Sequence, residues 1–266
     1  MQILSTKRRI HLVENPMTLD QVTAIVPAAF ADYADERVSK KYVFISTKQV
    51  YEDMSALGFK AIWAHQRRGK DSPFKKHWIK FFHPDHVIRR EDGAITEIFE
   101  VTISNSHDGR AGFNLAAGIY RLVCDNGMMA LDSDQGKIRL RHMGYSSEEL
   151  SKMIHDLSAH FPVMLQKIDT MKKRIMTDQE MVTFATNAMK TRWDKEVKID
   201  VNKLIKSIRP EDDQNTLWNV YNRVQEKLVK GQFTTFSGRI VRGLTNVDAL
   251  VKLNEKLYTQ ALELCQ

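Results

Sequence analysis

Cysteine is almost missing from this chain. Cys124 and Cys265 are the only two, too few for a disulfide framework or a cysteine-held metal, so a reducing cytoplasm is expected. Long apolar runs are missing too. None approaches the roughly 18–20 residues that cross a bilayer, and no membrane partner is expected. The opening segment, MQILSTKRRIHLVENPM, has a basic cluster with no apolar stretch behind it and is not read as a secretory signal. There is neither a P-loop nor a GxGxxG fingerprint, which leaves nucleotide-driven motor chemistry unsupported; no cofactor is expected.

What is present suits a globular fold. Of the 266 residues, 42% are hydrophobic and 27% charged, enough apolar material for a sizeable core. The net charge of +7 is local. Lys60, Arg67, Arg68, Lys70, Lys75, Lys76, Lys80, Arg89 and Arg90 face only Asp71 and Asp85, a net +7 within 31 residues, so the rest of the chain sums to zero. Charge gathered in this way is the footprint of a polyanion binder; its bland alternative is a solvated face.

Thr18 to Phe30 reads as a short helix capped by Thr18 or Asp20, and Thr47 to Leu57 as a second, stopped by Gly58. Three strand-like runs follow, Phe59–Arg67, Lys76–His83 and Ile95–Ser104. In the third, Phe99, Val101 and Ile103 alternate with Glu100, Thr102 and Ser104, as a half-buried strand requires. GKDSP and EDG carry turn residues. Arg110 to Cys124 is apolar nearly all round and reads as a buried helix; Gly136–Met143 reads as a further strand. From Leu150 to Ile175 apolar residues step by 4 and 3, with Pro162 implying a kink or two helices. Asp178–Trp193, Val201–Ile208, Asn215–Lys230 and Val247–Leu264 supply more helices. The fold class expected is α+β, an antiparallel β-meander with packed helices followed by a helical C-terminal half. The division expected is a DNA-binding core over 1–147 and a helical region over 148–266 packed on it.

Two stretches bear on function. In HQRRGKDSPFKKHWIKFF cations interleave with aromatics, the pattern of a basic groove with faces on which bases stack. Arg67, Arg68, Lys70, Lys75, Lys76, Lys80, Arg89 and Arg90 are the candidate phosphate contacts, with Phe74, Trp78 and Phe81 as stacking candidates. Lys137, Arg139 and Arg141 repeat the alternation. The alternative is that the aromatics are core and the lysines decorate it. The second stretch, Asn105-Ser106-His107-Asp108-Gly109, reads as a turn from strand into helix, with helix-start N–H groups and Arg110 able to take a phosphate. A catalytic alternative makes His107 and Asp108 ligands of a divalent metal in a nuclease or phosphodiesterase. Its further candidates, Glu97, Glu100 and Asp132, show no recognisable ligand spacing, and neither do His65, His77, His83 and His86. No catalytic or metal-binding residue is therefore assigned.

NSHDGRAGFNLAAGIYRLVCDNGM resembles the signature of a phage- and plasmid-encoded family, domain of unknown function 932, and TLWNVYNRVQEKLVKGQF and LVKLNEKLYTQALEL resemble its C-terminal motifs. The family's association with mobile elements implies DNA metabolism or defence evasion in a bacterial host. The order helix, three meander strands, helix also resembles the core of ring-forming single-strand annealing proteins, which implies single-stranded DNA held in a basic groove around a homo-oligomer, as a ring or a filament, without ATP and without a covalent step. A phage exonuclease or a single-strand-binding protein is a possible partner on that resemblance. The rivals are the metal-dependent nuclease and a protein-binding anti-defence factor.

Overall fold

The computed structural model describes residues 11–67, 73–122, 129–130, 137–138, 146–193 and 198–265. They fall into two compact units, one drawn from Leu4–Leu122 and Asp134–Phe161, the other from Val123–Ser133 and Pro162–Gln266.

In the first unit α1 (Leu19–Ile25) opens on a capping box. Thr18 accepts from Gln21 N and the Gln21 side chain accepts from Thr18 N, so two helix-start donors are satisfied locally. A 3₁₀ turn, Pro27–Phe30, follows. Helix α2 (Thr47–Ala56) is capped by Ser46 and buries Val50, Tyr51 and Met54. The sheet is an antiparallel meander of β1 (Lys60–Gln66), β2 (His77–Arg89), β3 (Ile95–Asn105) and β4 (Asn114–Arg121), each strand paired to the next. Strand β2 runs on past His83 through a bulge between Phe82 and Val87. Pro84 sits in that bulge, where its missing N–H breaks no ladder bond. The β2–β3 turn closes with Arg90 N donating to Ala94 O and with Gly93 at φ +84. Val13, Ile62, Phe82, Ile98, Tyr120 and Leu122 form a buried cluster in this unit.

The buried helix expected over Arg110–Cys124 is instead β4. Leu115, Ala117 and Ile119 stand opposite Ile103, Val101 and Phe99 of β3. A strand covered on both faces shows a continuous apolar run instead of alternation, and period alone cannot separate it from a buried helix. The order helix, three strands, helix therefore does not occur here, and the likeness to annealing-protein cores built on that order loses its basis. Of the strand expected over Gly136–Met143, the described part is β6 (Lys137–Ile138), paired with Leu115 and Ala116 of β4; Arg139 and Arg141 lie outside the described residues. A short β5 (Met129–Ala130) precedes it.

The apolar series across Pro162 forms two helices, α3 (Ser147–Ala159) and α4 (Phe161–Lys173). Pro162 is the second residue of α4, where an N–H has no helical acceptor to lose.

In the second unit α5 (Asp178–Arg192) opens on a capping box of Thr177 and Glu180. A short α6 (Asn202–Ile205) and a 3₁₀ turn (Pro210–Asp212) lead to α7 (Leu217–Lys230), twelve of whose fourteen residues are buried. Its Trp218 stacks on its Tyr221, which also meets Phe184 and Tyr258. Its buried Glu226 takes Arg209 and Lys230, and Arg209 also holds Asp212. A hairpin, β7 (Gly231–Thr234) and β8 (Ile240–Arg242), which the sequence reading did not anticipate, precedes α8 (Val247–Glu263). The architecture is α+β with a helical C-terminal part. No helix among the described residues is long and apolar enough to cross a membrane.

Candidate nucleic-acid interface

The NSHDG segment joins β3 to β4 and starts no helix. Asp108 Oδ1 accepts from Arg110 N, Ser106 Oγ bonds both N and O of Ala111, and Gly109 holds φ +71. The phosphate site expected at a helix start is therefore not formed. Arg110 is exposed on the turn, 4.0 Å from the Asp108 carboxylate.

Inward, the same segment is a buried hydrogen-bond hub. Asn105, Ser106 and His107 have no exposed surface, nor have Thr47 and His77. Thr47 Oγ1 lies 2.9 Å from His77 Nε2, 3.2 Å from His107 Nε2 and 3.0 Å from Asn105 Nδ2, which also donates to Ile45 O. The proton positions follow from the partners. His77 Nδ1 faces the Lys75 carbonyl at 2.9 Å, so it carries the proton and Nε2 must accept from the Thr47 hydroxyl. That uses the only hydroxyl hydrogen, so His107 Nε2 is the donor in its own contact. Burial keeps both rings neutral, lowering His77 to about 3 and His107 to about 4, with each ring's neighbourhood of the other adding to the shift for His77. Backbone bonds tie the hub outward: His107 N donates to Phe74 O, and Asp35 N to His107 O. This arrangement fixes the starts of α2 and β2 to the end of β3. Among the described residues no three His, Cys, Asp or Glu side chains converge to hold a metal; Asp132 lies outside them.

The basic segment divides when its partners are known. Lys80 Nζ is 2.5 Å from Glu100 Oε1, with side-chain exposures of 12% and 0%. Lys80 is thus a buried ion-pair member and is corrected as a phosphate contact. Phe81 is wholly buried against Tyr51, and Trp78 is 8% exposed, so neither presents a free face to a base. Phe74 is half-buried and meets Tyr33 edge-on. Arg90 is chelated by Asp92, and Arg89 donates to Gly93 O while remaining exposed. Arg67 and Lys60 are exposed, and Lys75 and Lys76 half-buried, with Lys76 Nζ 5.1 Å above the Trp78 ring. Arg68 and Lys70 lie outside the described residues, and Lys137 is placed by its backbone alone.

Sequence reasoning passed over Trp63 and weighed His65 only as a metal ligand. Both are half-buried on one face of β1, opposite Lys80 and Trp78 of β2. Their rings stack at 5.7 Å and 23°, and His65 continues to Trp78 at 5.6 Å. Lys80 Nζ lies 5.6 Å from the Trp63 ring centre. The missed signal was the i, i+2 spacing on β1, which only gains meaning once the register with β2 is known. Lysines and part-open aromatic rings on adjoining strands can hold an anionic chain and lay a flat ring against it.

The chain is similar to two proteins of Escherichia coli (strain K12), UPF0380 protein YafZ and UPF0380 protein YfjQ. Each is 27% identical to it over 259 residues, which cover 93% of this chain and 91% of the relative. No solved structure matches it. The family model described as domain of unknown function (DUF932) matches residues 35–258, and the chain belongs to that family.

Proposed function

We propose that the protein binds single-stranded DNA without covalent chemistry and promotes strand annealing. The observation that carries this reading is the placing of Arg67, Lys75 and Lys76 where β1 passes into β2, at the end of β1 that carries the part-open rings of Trp63 and His65, with Lys60 and Arg89 exposed farther along the same two strands. Cations that hold phosphates leave base edges free to pair, and pairing needs no nucleotide hydrolysis. An oligomer is part of the proposal, since annealing brings two strands together along extended tracts. Strand β1 is the open end of the meander, yet Ala61 O already accepts from Met17 N, so a neighbouring subunit would add beyond Ala61 or elsewhere.

The test is salt-dependent binding of a labelled oligonucleotide. Each phosphate neutralised contributes about −0.7 to the log–log salt slope on single strands. Replacing Arg67, Arg68, Lys75 and Lys76 together by alanine should flatten that slope. An unchanged slope would place the site elsewhere. Binding of an acidic protein but of no oligonucleotide would favour an anti-defence factor, and cleavage of DNA with Mg²⁺ or Mn²⁺ would favour a nuclease. The nuclease reading gains no geometric support from His107, whose imidazole is buried and bonded to Thr47.

A further inference from the structure

The two most exposed large hydrophobic side chains among the described residues are Phe236, at 73%, and Ile240, at 72%. Both belong to the β7–β8 hairpin, which stands in the second unit, apart in sequence from the basic meander. An exposed aromatic at a loop tip has an ordinary explanation when the loop is loose. This tip is not. Thr235 N donates to Arg239 O, Gly238 N to Thr235 O and Arg239 N to Thr235 Oγ1, while Phe236 N donates to Lys198 O. The backbone around Phe236 is thus held in place while its ring is left in solvent.

The hairpin's own charge has one sign. Between Gly231 and Asn246 there is no acidic residue, and Arg239 and Arg242 are both exposed. Neither is paired with a carboxylate among the described residues. The segment bonded to the hairpin adds exposed Lys198, Lys203 and Lys206, with Lys203 Nζ held by Thr234. Against these five cations stands Asp200, whose Oδ1 already accepts from Asn202 N. Ile240 and Arg242 face outward and Val241 inward, so an apolar contact and a guanidinium lie on one side of β8, roughly 6.6–6.8 Å apart along the strand.

Helix α7, which leads into the hairpin, is nearly all buried and presents no open face to a ligand. The ribbon is the accessible element. We propose that the β7–β8 hairpin is a second contact for single-stranded nucleic acid, with the Phe236 ring stacking on a base and Arg239 and Arg242 meeting the flanking phosphates. The proposal rests on the reading that the chain binds single-stranded DNA, and it adds a site that the basic meander does not contain. A held tip loses little freedom on binding, which is why an ordered exposed aromatic suits this role.

The experiment measures fluorescence anisotropy of a labelled thirty-nucleotide dT strand, and of a duplex of equal length, with the full chain. Phe236→Ala should weaken single-strand binding about 5–150-fold at fixed salt and leave the salt slope alone, the loss expected for one stacked base. Arg239→Ala with Arg242→Ala should reduce the slope by about 1.4. Phe236→Trp should keep affinity, and its added emission should be quenched by the strand. Because these side chains are exposed, thermal midpoints should stay at the wild-type value, separating contact from misfolding. If the hairpin variants bind as wild type while Lys75→Ala with Lys76→Ala weakens binding, the hairpin proposal fails and the meander reading stands. If only the hairpin variants matter, the hairpin proposal holds and the meander reading fails. Weakening confined to the duplex overturns the assignment to single strands. A wild-type chain that binds neither probe overturns both.

Discussion

The Thr47 hydroxyl stands 2.9 Å from Nε2 of His77 and donates its only hydrogen there. Two things follow from that donation: His77 must be neutral, because its Nε2 accepts, and His107 must donate to the same oxygen; burial then keeps the His107 ring neutral as well. Burial lowers their pKa values to about 3 and about 4, against roughly 6.5 in an unfolded chain. The unfolded state therefore takes up protons first as the pH drops. The hub's contribution is complete above about pH 6.5 and declines as pH falls toward 4 and then 3, at up to ~1.4 kcal/mol per pH unit for each ring.

Denaturant midpoints at pH 7.5, 6.0 and 5.0 should fall in that order. In His107→Gln about half of the dependence between pH 6.5 and 5 should vanish. Because the ring has no exposed surface, the same variant should leave the salt slope of DNA binding intact. A stability that stays flat from pH 7.5 to 5.0 would contradict the neutral-pair assignment.

A second prediction separates structural from binding lysines. Lys80 and Glu100 are paired almost wholly out of solvent. Lys80→Met would leave a buried carboxylate without its cation, at a cost of about 3–5 kcal/mol. Adding Glu100→Leu should recover most of that loss, because a buried pair replaced by apolar groups is often neutral. A double-mutant cycle by chemical denaturation reads the coupling. A stable Lys80→Met whose DNA salt slope drops by ~0.7 would instead restore Lys80 to the phosphate contacts.

Those two cases also mark what the sequence made legible. Alternating Phe99, Val101 and Ile103 located β3, because a strand with one polar side announces its period, but the half-buried reading was wrong: Glu100, Thr102 and Ser104 are buried as well. Pro162 correctly divided one apolar series into two helices, since proline fits only the first turn. The segment after NSHDG misled because β4 is covered on both faces and contains Ala116, Ala117 and Gly118, which carry no strand signature. The β7–β8 hairpin passed unread because its strands are only four and three residues long. In the candidate site the concentration of charge was visible at once. The fate of each cation was not, because Lys80 is neutralised by a carboxylate twenty positions away and Trp63 meets Lys80 through strand register. Such pairings are properties of the sheet and are not written in local spacing.

The last prediction uses two glycines of the hairpin that differ in surroundings. Gly231 and Gly238 have φ of +68 and +77, and Gly231 combines it with ψ −127, a pairing that side chains rarely adopt; the left-handed helical region itself costs other residues roughly 1–2 kcal/mol. At Gly238 an added Cβ meets nothing within 4 Å, whereas at Gly231 it falls 2.3 Å from Val241 O and 2.8 Å from the Arg242 carbonyl carbon. Gly238→Ala should therefore cost only the conformational amount, about 1–2 kcal/mol. Gly231→Ala must also push β8 away from the end of α7 and should cost at least ~2 kcal/mol more. Thermal melts of the two variants check the order, and equal losses would mean that the approach of β8 to Gly231 is not tight. The pair also connects fold to function. Gly231→Ala displaces the ribbon that carries Phe236 and Arg239, so it should weaken oligonucleotide binding at temperatures where the protein remains folded. Gly238→Ala, whose added methyl points into open space, should weaken it far less.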